Sequence, residues 1–146
     1  MIKNFLSGRI EIGLESVVFE DIGRPTTDEE INVFYDDSIY TEIQGNCLVV
    51  RVQRQIYFKP ESLFQLSTVY FVKHAYIEGI EKEAYNALKS VSEDELKKEI
   101  MEDTSYYTQD KYDKISLLIG QITSTFGDPI ITPPLLRRNS DSSKSE

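Results

Sequence analysis

The chain has 146 residues and 40% hydrophobic content, enough for one domain with a buried core and too apolar for a wholly disordered protein. Its 25 acidic and 16 basic side chains leave a formal net charge of −9, which repels phosphate backbones and anionic membrane surfaces. Nucleic acid is therefore not an expected partner, whereas basic or apolar segments of other proteins are.

The single cysteine, Cys47, cannot form an intramolecular disulfide. The opening MIKNFLSGRIEIG lacks the apolar centre of a signal peptide. No apolar run approaches the ~20 residues that span a bilayer. These features predict a cytoplasmic protein without membrane insertion.

The first strand is expected over Arg9 to Phe19, with Ile10, Ile12 and Leu14 on one side and Arg9, Glu11 and Glu15 on the other. Its period slips at Val17-Val18-Phe19, which predicts a bulge or bend. Glu20 to Glu30, with Gly23 and Pro25, reads as an exposed connection long enough to cross over a sheet. Strands follow over Ile31 to Ile43, Cys47 to Phe58 and Leu63 to Ile77, separated by turns at Gly45-Asn46 and Lys59-Pro60-Glu61-Ser62. Short turns between consecutive strands predict an antiparallel meander.

Beyond Gly79 the sequence turns to helix formers. Ser92 with Glu95 three positions on is a capping-box signature, so a second helical segment is expected to start there. In the last helix, expected to be capped by Thr108, Tyr112, Ile115, Leu118, Ile119, Ile122 and Phe126 form an apolar stripe that should pack on the sheet. Gly127 is placed as its C-cap, and Asp128 to Leu136 as an extended, packed stretch. Residues 1–136 are read as a single domain, and 137–146, polar and serine-rich, as a disordered tail.

Chemistry is sparse. His74 and Cys47 are the only thiol–imidazole candidates and fall short of the ligands zinc takes, so neither a metal nor another cofactor is expected. Asp36 and Asp37 are adjacent in a strand and point apart, so they make no shared-proton pair. There is no glycine-rich phosphate loop, and the chain is not expected to be an enzyme. The aromatic excess is more telling: Phe34, Tyr40 and Tyr57 fall on the face opposite Ile31, Val33, Ile39, Ile43, Ile56 and Phe58. Aromatics on both sheet faces predict a covered second face, and hence a homo-oligomer or a ligand.

The segment YDKISLLIGQITSTFGDPIITP, Tyr112 to Pro133, resembles the closing segment of the SecB protein-export chaperone family, with Tyr112, Lys114, Thr125, Phe126 and Pro133 at matching offsets. AYIEGI, Ala75 to Ile80, is similar to the family's last-strand ending, and the order of elements agrees. The chain departs from the family pattern at Ile115, at Gly127 and at Pro133-Pro134-Leu135-Leu136.

The resemblance implies an α+β fold, a four-stranded antiparallel sheet with helices packed on one face, assembling as a dimer or tetramer. It implies ATP-independent binding of unfolded or nascent polypeptides, in protein export. The expected polypeptide-binding residues are Phe19, Phe34, Leu118 and Ile122. Of the acidic sheet positions that engage a translocation motor in the family, Glu20, with Glu15 nearby, matches one, and Thr68 stands at the other. A dedicated-partner adaptor or antitoxin-type chaperone on the same fold, and a small enzyme using Cys47 or acids, are the alternatives.

Overall fold

The computed structural model describes residues 2–24, 30–127 and 129–134, without the side chain of Phe126. The expected tail, 137–146, lies outside the described residues, as do Asp128, Leu135 and Leu136 of the expected extended stretch. After a single 3-10 turn, Ile2–Phe5, come four strands: β1 (Leu6–Gly23), β2 (Asn32–Ile43), β3 (Cys47–Lys59) and β4 (Leu63–Tyr76). Four helices follow: α1 (Glu81–Ser90), α2 (Glu93–Glu102), α3 (Thr104–Thr108) and α4 (Tyr112–Phe126). The class is α+β, as the pattern of strands followed by helices requires.

The strands form one sheet in the order β1-β4-β3-β2, so β1 and β2 are its edges. The β2–β3–β4 meander is the one that its short turns predict. On the other side, Ile77 N–H donates to Phe5 O, Ser7 Oγ donates to Ala75 O, and Phe19 stacks on Phe64. Numbers rise along β1 as they fall along β4, so this pair is antiparallel too. Gly13 lies under Phe71, an odd position of β4, and a Cβ added there would stand 2.5 Å from the ring. Phe19 instead meets Phe64, an even position, with ring centroids 5.0 Å apart. β1 therefore slips by one residue between Gly13 and Phe19, where the sequence period breaks.

The described residues group into two compact units: those within Met1–Leu14, Ile39–Val52 and Tyr70–Gln109 form the first, and those within Glu15–Ser38, Gln53–Val69 and Asp110–Glu146 the second. The core of the first is apolar. Leu48, Val50 and Tyr76 from the sheet meet Ile2 and Leu6, Ala84 and Leu88 of α1, Leu96 and Ile100 of α2, and Tyr107 of α3. The i, i+4 spacing within α1 and α2 puts each apolar pair on one helix face. Ser92 caps α2, accepting a hydrogen bond from the Glu95 amide at 3.2 Å, as its capping-box pattern predicts. Gly79, at φ 94°, makes the turn between β4 and α1 in a backbone region that side chains disfavour.

The second unit is built on a buried ion pair. Arg54 and Asp37 have side chains 1% and 0% exposed, and Arg54 Nε and Nη2 donate to the two Asp37 oxygens at 2.7 and 2.8 Å. Around them, Ile56, Leu66, Tyr112, Ile115 and Ile119 are buried. The α4 stripe is thus core at Tyr112, Ile115 and Ile119, while Leu118 and Ile122 are half-buried. Thr108 does not cap α4. It is the last residue of α3, its hydroxyl donates to Thr104 O, and Gln109 and Asp110 turn the chain in left-handed conformation before Tyr112. Gly127 follows α4 in extended rather than left-handed backbone.

Two stability measurements test this packing. Ile119, fully buried, should cost ~2–5 kcal/mol on truncation to Ala in urea denaturation. Asp37→Ala should cost about 3–5 kcal/mol, because it strands a buried guanidinium. An Asp37→Leu/Arg54→Met double variant should lose less than Asp37→Ala alone. A loss below about half a kilocalorie for either single variant, the scale of surface changes, would show that the site is not core.

Candidate functional site

The thiol and the imidazole do not form a site. Cys47 is buried, and its thiol donates to Gln44 Oε1 at 3.4 Å. It lines a shallow cavity of about 420 Å³ with Arg9, Glu11, Lys73, Ala75 and Tyr76. Burial pushes the thiol's pKa up, against the pull of Lys73, so it is a poor nucleophile. His74 is 1% exposed, and its Nε2 lies 2.9 Å from the Tyr107 carbonyl oxygen. Burial pushes its pKa down, while the bond to Tyr107 opposes the shift. Tyr76, whose hydroxyl donates to Gln44 O at 2.7 Å, is pushed up to about 12 by burial. Among the described residues no group of three or more His, Cys, Asp or Glu is placed to hold a metal ion. Among them no helix is long and apolar enough to cross a membrane.

The second unit carries an open groove of about 830 Å³ with a mostly apolar lining. Phe19 comes to it from β1, Phe58 from the end of β3, Leu63 and Phe64 from the start of β4, Thr123 from α4 and Ile130 from the stretch beyond. Phe64 is the hub, stacked on Phe19 and edge-on to Phe58 at 5.1 Å. All three rings are half-buried, so each keeps apolar surface toward the opening. Leu63, 37% exposed, adopts φ 61°, an unfavourable conformation for a leucine. Gly23 and Gly127 complete the lining with Asp21 and Arg24, which bring charges of both signs.

The stretch that carries Ile130 is held in place by hydrogen bonds. Beyond α4 the chain is extended, and Ile130 N–H donates to Thr123 Oγ1 at 2.8 Å. Ser116 Oγ donates to Thr132 O. Arg54 Nη1 donates to Thr132 Oγ1 at 3.1 Å and to Pro133 O. The guanidinium also lies 5.7 Å from the Tyr112 ring centroid and 6.0 Å from that of Tyr35, within cation–π range. The side that Arg54 does not give to Asp37 thus pins the stretch that carries Ile130.

Of the residues expected to bind polypeptide, Phe19 lines this groove. Phe34 lies with Tyr57, ring centroids 5.7 Å apart, and Lys59 Nζ sits 4.8 Å over it. Tyr57 donates to Asp36 Oδ2 at 2.9 Å, so these second-face aromatics cover one another within the chain. Leu118 and Ile122 are half-buried one turn apart on α4. Glu15 and Glu20 are exposed on β1, and Thr68 is buried with its hydroxyl donating to Arg54 O at 3.3 Å. Sequence reasoning missed Phe58, Leu63, Phe64 and Ile130. The flanks of the Lys59–Ser62 turn, Phe58 and Phe64, offered a signal: aromatics on both sides of a turn meet across it.

No protein-family model matches the sequence, and no curated protein does. Among solved structures the chain is similar to the Mycobacterium tuberculosis Rv1957 SecB-like chaperone in complex with a ChAD peptide from the Rv1956 HigA1 antitoxin. The identity is 12% and the TM-score 0.49, over 89% of this chain and 88% of that one. A likeness this distant carries no argument about what the groove binds, so its own geometry must.

An apolar fluorescent dye should report on the groove directly. Phe64→Ala removes both ring contacts of the hub, each worth ~0.5–1.5 kcal/mol. It should weaken dye binding about tenfold, or ~1.4 kcal/mol. An unchanged titration would place the dye elsewhere.

Proposed function

We propose that the protein holds extended apolar segments of unfolded or nascent polypeptides in the groove of its second unit, without nucleotide, in the manner of a chaperone. The observation that carries this reading is the hub of Phe19, Phe58 and Phe64, half-buried beside Leu63 and Ile130. Aromatic and aliphatic walls bind by apolar burial, which tolerates varied side chains. The polar lining is slight, which suits a segment recognised by its apolar residues rather than by one charge.

Self-association belongs to the same proposal. Ile12 and Leu14 on the edge strand β1 are 41% and 54% exposed. An apolar edge of this kind is covered in stable proteins, most simply by another copy. Glu15 and Glu20 are then the acidic contacts for a basic partner such as a translocation motor.

Suppression of aggregation of several unrelated, chemically unfolded clients tests the reading, at near-stoichiometric ratio and without nucleotide. Wild type should protect them, and moderate salt should matter little, because apolar burial dominates. Phe64→Asp should abolish protection while circular dichroism stays native. Phe34→Asp, on the opposite sheet face, should leave it intact. Failure of a folded wild type with every client would overturn the proposal and leave a single dedicated partner as the occupant. Light scattering should find a dimer or larger species, and a monomer at micromolar concentration would remove self-association from it.

A further inference from the structure

The only histidine in the chain lies in the first unit, away from any chemistry. His74 is 1% exposed and packed by the Tyr106 and Tyr107 rings, with centroids 5.2 and 5.6 Å away. A carbonyl oxygen can only accept, so the contact with Tyr107 O fixes the neutral tautomer that carries its proton on Nε2. Nδ1 is then a bare lone pair, buried and without a hydrogen-bond partner among the described residues. A second side chain of β4 makes the same kind of contact one residue on, where Tyr70 Oη donates to Thr108 O at 3.1 Å. α3 has only five residues, and these two bonds tie its last two carbonyls to β4.

We propose that His74 is the pin of an acid-sensitive latch, and that protonation of its Nδ1 releases α3 from β4. The added proton would create a charged ring with a buried N–H that nothing accepts, a costly state. Lowering that cost requires the ring to reach water, and α3 is the shortest helix over it. Three charged groups on the neighbouring elements have partners of their own. Lys3 lies 4.6 Å over the Tyr106 ring and pairs with Asp103, while Glu99 of α2 accepts from the Ile2 amide at 2.6 Å. Tyr107, whose buried hydroxyl is also without a hydrogen-bond partner among the described residues, has its pKa pushed up by burial and stays neutral.

The pKa of His74 is lowered in the folded state, so the docked form is fully favoured above the unfolded value of ~6.5. It loses ground as pH falls from there toward the folded pKa. Over that window the ratio of released to docked α3 should rise up to about tenfold per pH unit.

A lone histidine makes the test direct. NMR titration of its ring should give a midpoint below ~6.5, and hydrogen exchange should show loss of protection at Tyr107, Thr108 and Gln109 over the same range. Protection in α4 should persist. His74→Gln, which keeps a side-chain N–H donor without a titrating ring, should abolish the acid dependence. Tyr70→Phe, which removes the other bond, should move release to higher pH. A midpoint at or above 6.5, or equal α3 protection at pH 5 and pH 7.5, would overturn the latch. So would an unchanged acid response in His74→Gln. Should that variant not fold, the wild-type titration and exchange decide alone.

Discussion

The architecture of the second unit depends on keeping one guanidinium satisfied away from water. A buried charge is tolerated only where its partners are complete, and Arg54 uses all three nitrogens: two on Asp37, one on Thr132 and Pro133. That demand fixes the register of β2 against β3, because a one-residue slip would turn Asp37 to the other face and leave Arg54 uncompensated. It also fixes the course of the chain beyond α4, whose carbonyl and hydroxyl complete the set. The Tyr35 and Tyr112 rings within cation–π range add strands and helix to the same point.

The groove follows from that anchoring. With Thr132 held by Arg54 and Ser116, the Ile130 amide reaches Thr123, and Ile130 lines the groove together with the phenylalanines. Within the chain, Phe19 and Phe58 each pack on Phe64, and all three rings stay half-buried. The second-face pair Phe34 and Tyr57 differs, since Lys59 and Asp36 cover or bind it in place.

The first unit shows the contrasting use of polar groups. Its apolar cluster is closed by α1, α2 and α3, and the Tyr70 and Tyr76 hydroxyls and the His74 imidazole reach backbone carbonyls at Thr108, Gln44 and Tyr107. These bonds orient short segments instead of balancing charge. Where such a donor can also titrate, as at His74, structural pinning and sensitivity to acid are the same property.

The α+β class, the four strands, the meander and the α2 cap were legible in the sequence because each is written in local period and turn chemistry: β3 alternates, Ser92 and Glu95 cap, and Gly45-Asn46 turns the chain. The slip in β1 was legible too, as a break in alternation at Val17-Val18-Phe19. Arg54 stands where alternation calls for an apolar residue, yet nothing local says that Asp37, 17 positions earlier, and Pro133, 79 later, complete it. Phe19 could be suspected as a groove residue, but its partners Phe58, Phe64 and Ile130 come from other elements. Likewise, local sequence placed Thr108 as a cap for α4, whereas Tyr70 across the fold holds its carbonyl at the end of α3. Local pattern determined which residues form strands and helices. Which buried charge is satisfied, which aromatics stay open and which histidine is sealed were decided by long-range contacts, because those energies depend on what the rest of the chain brings alongside.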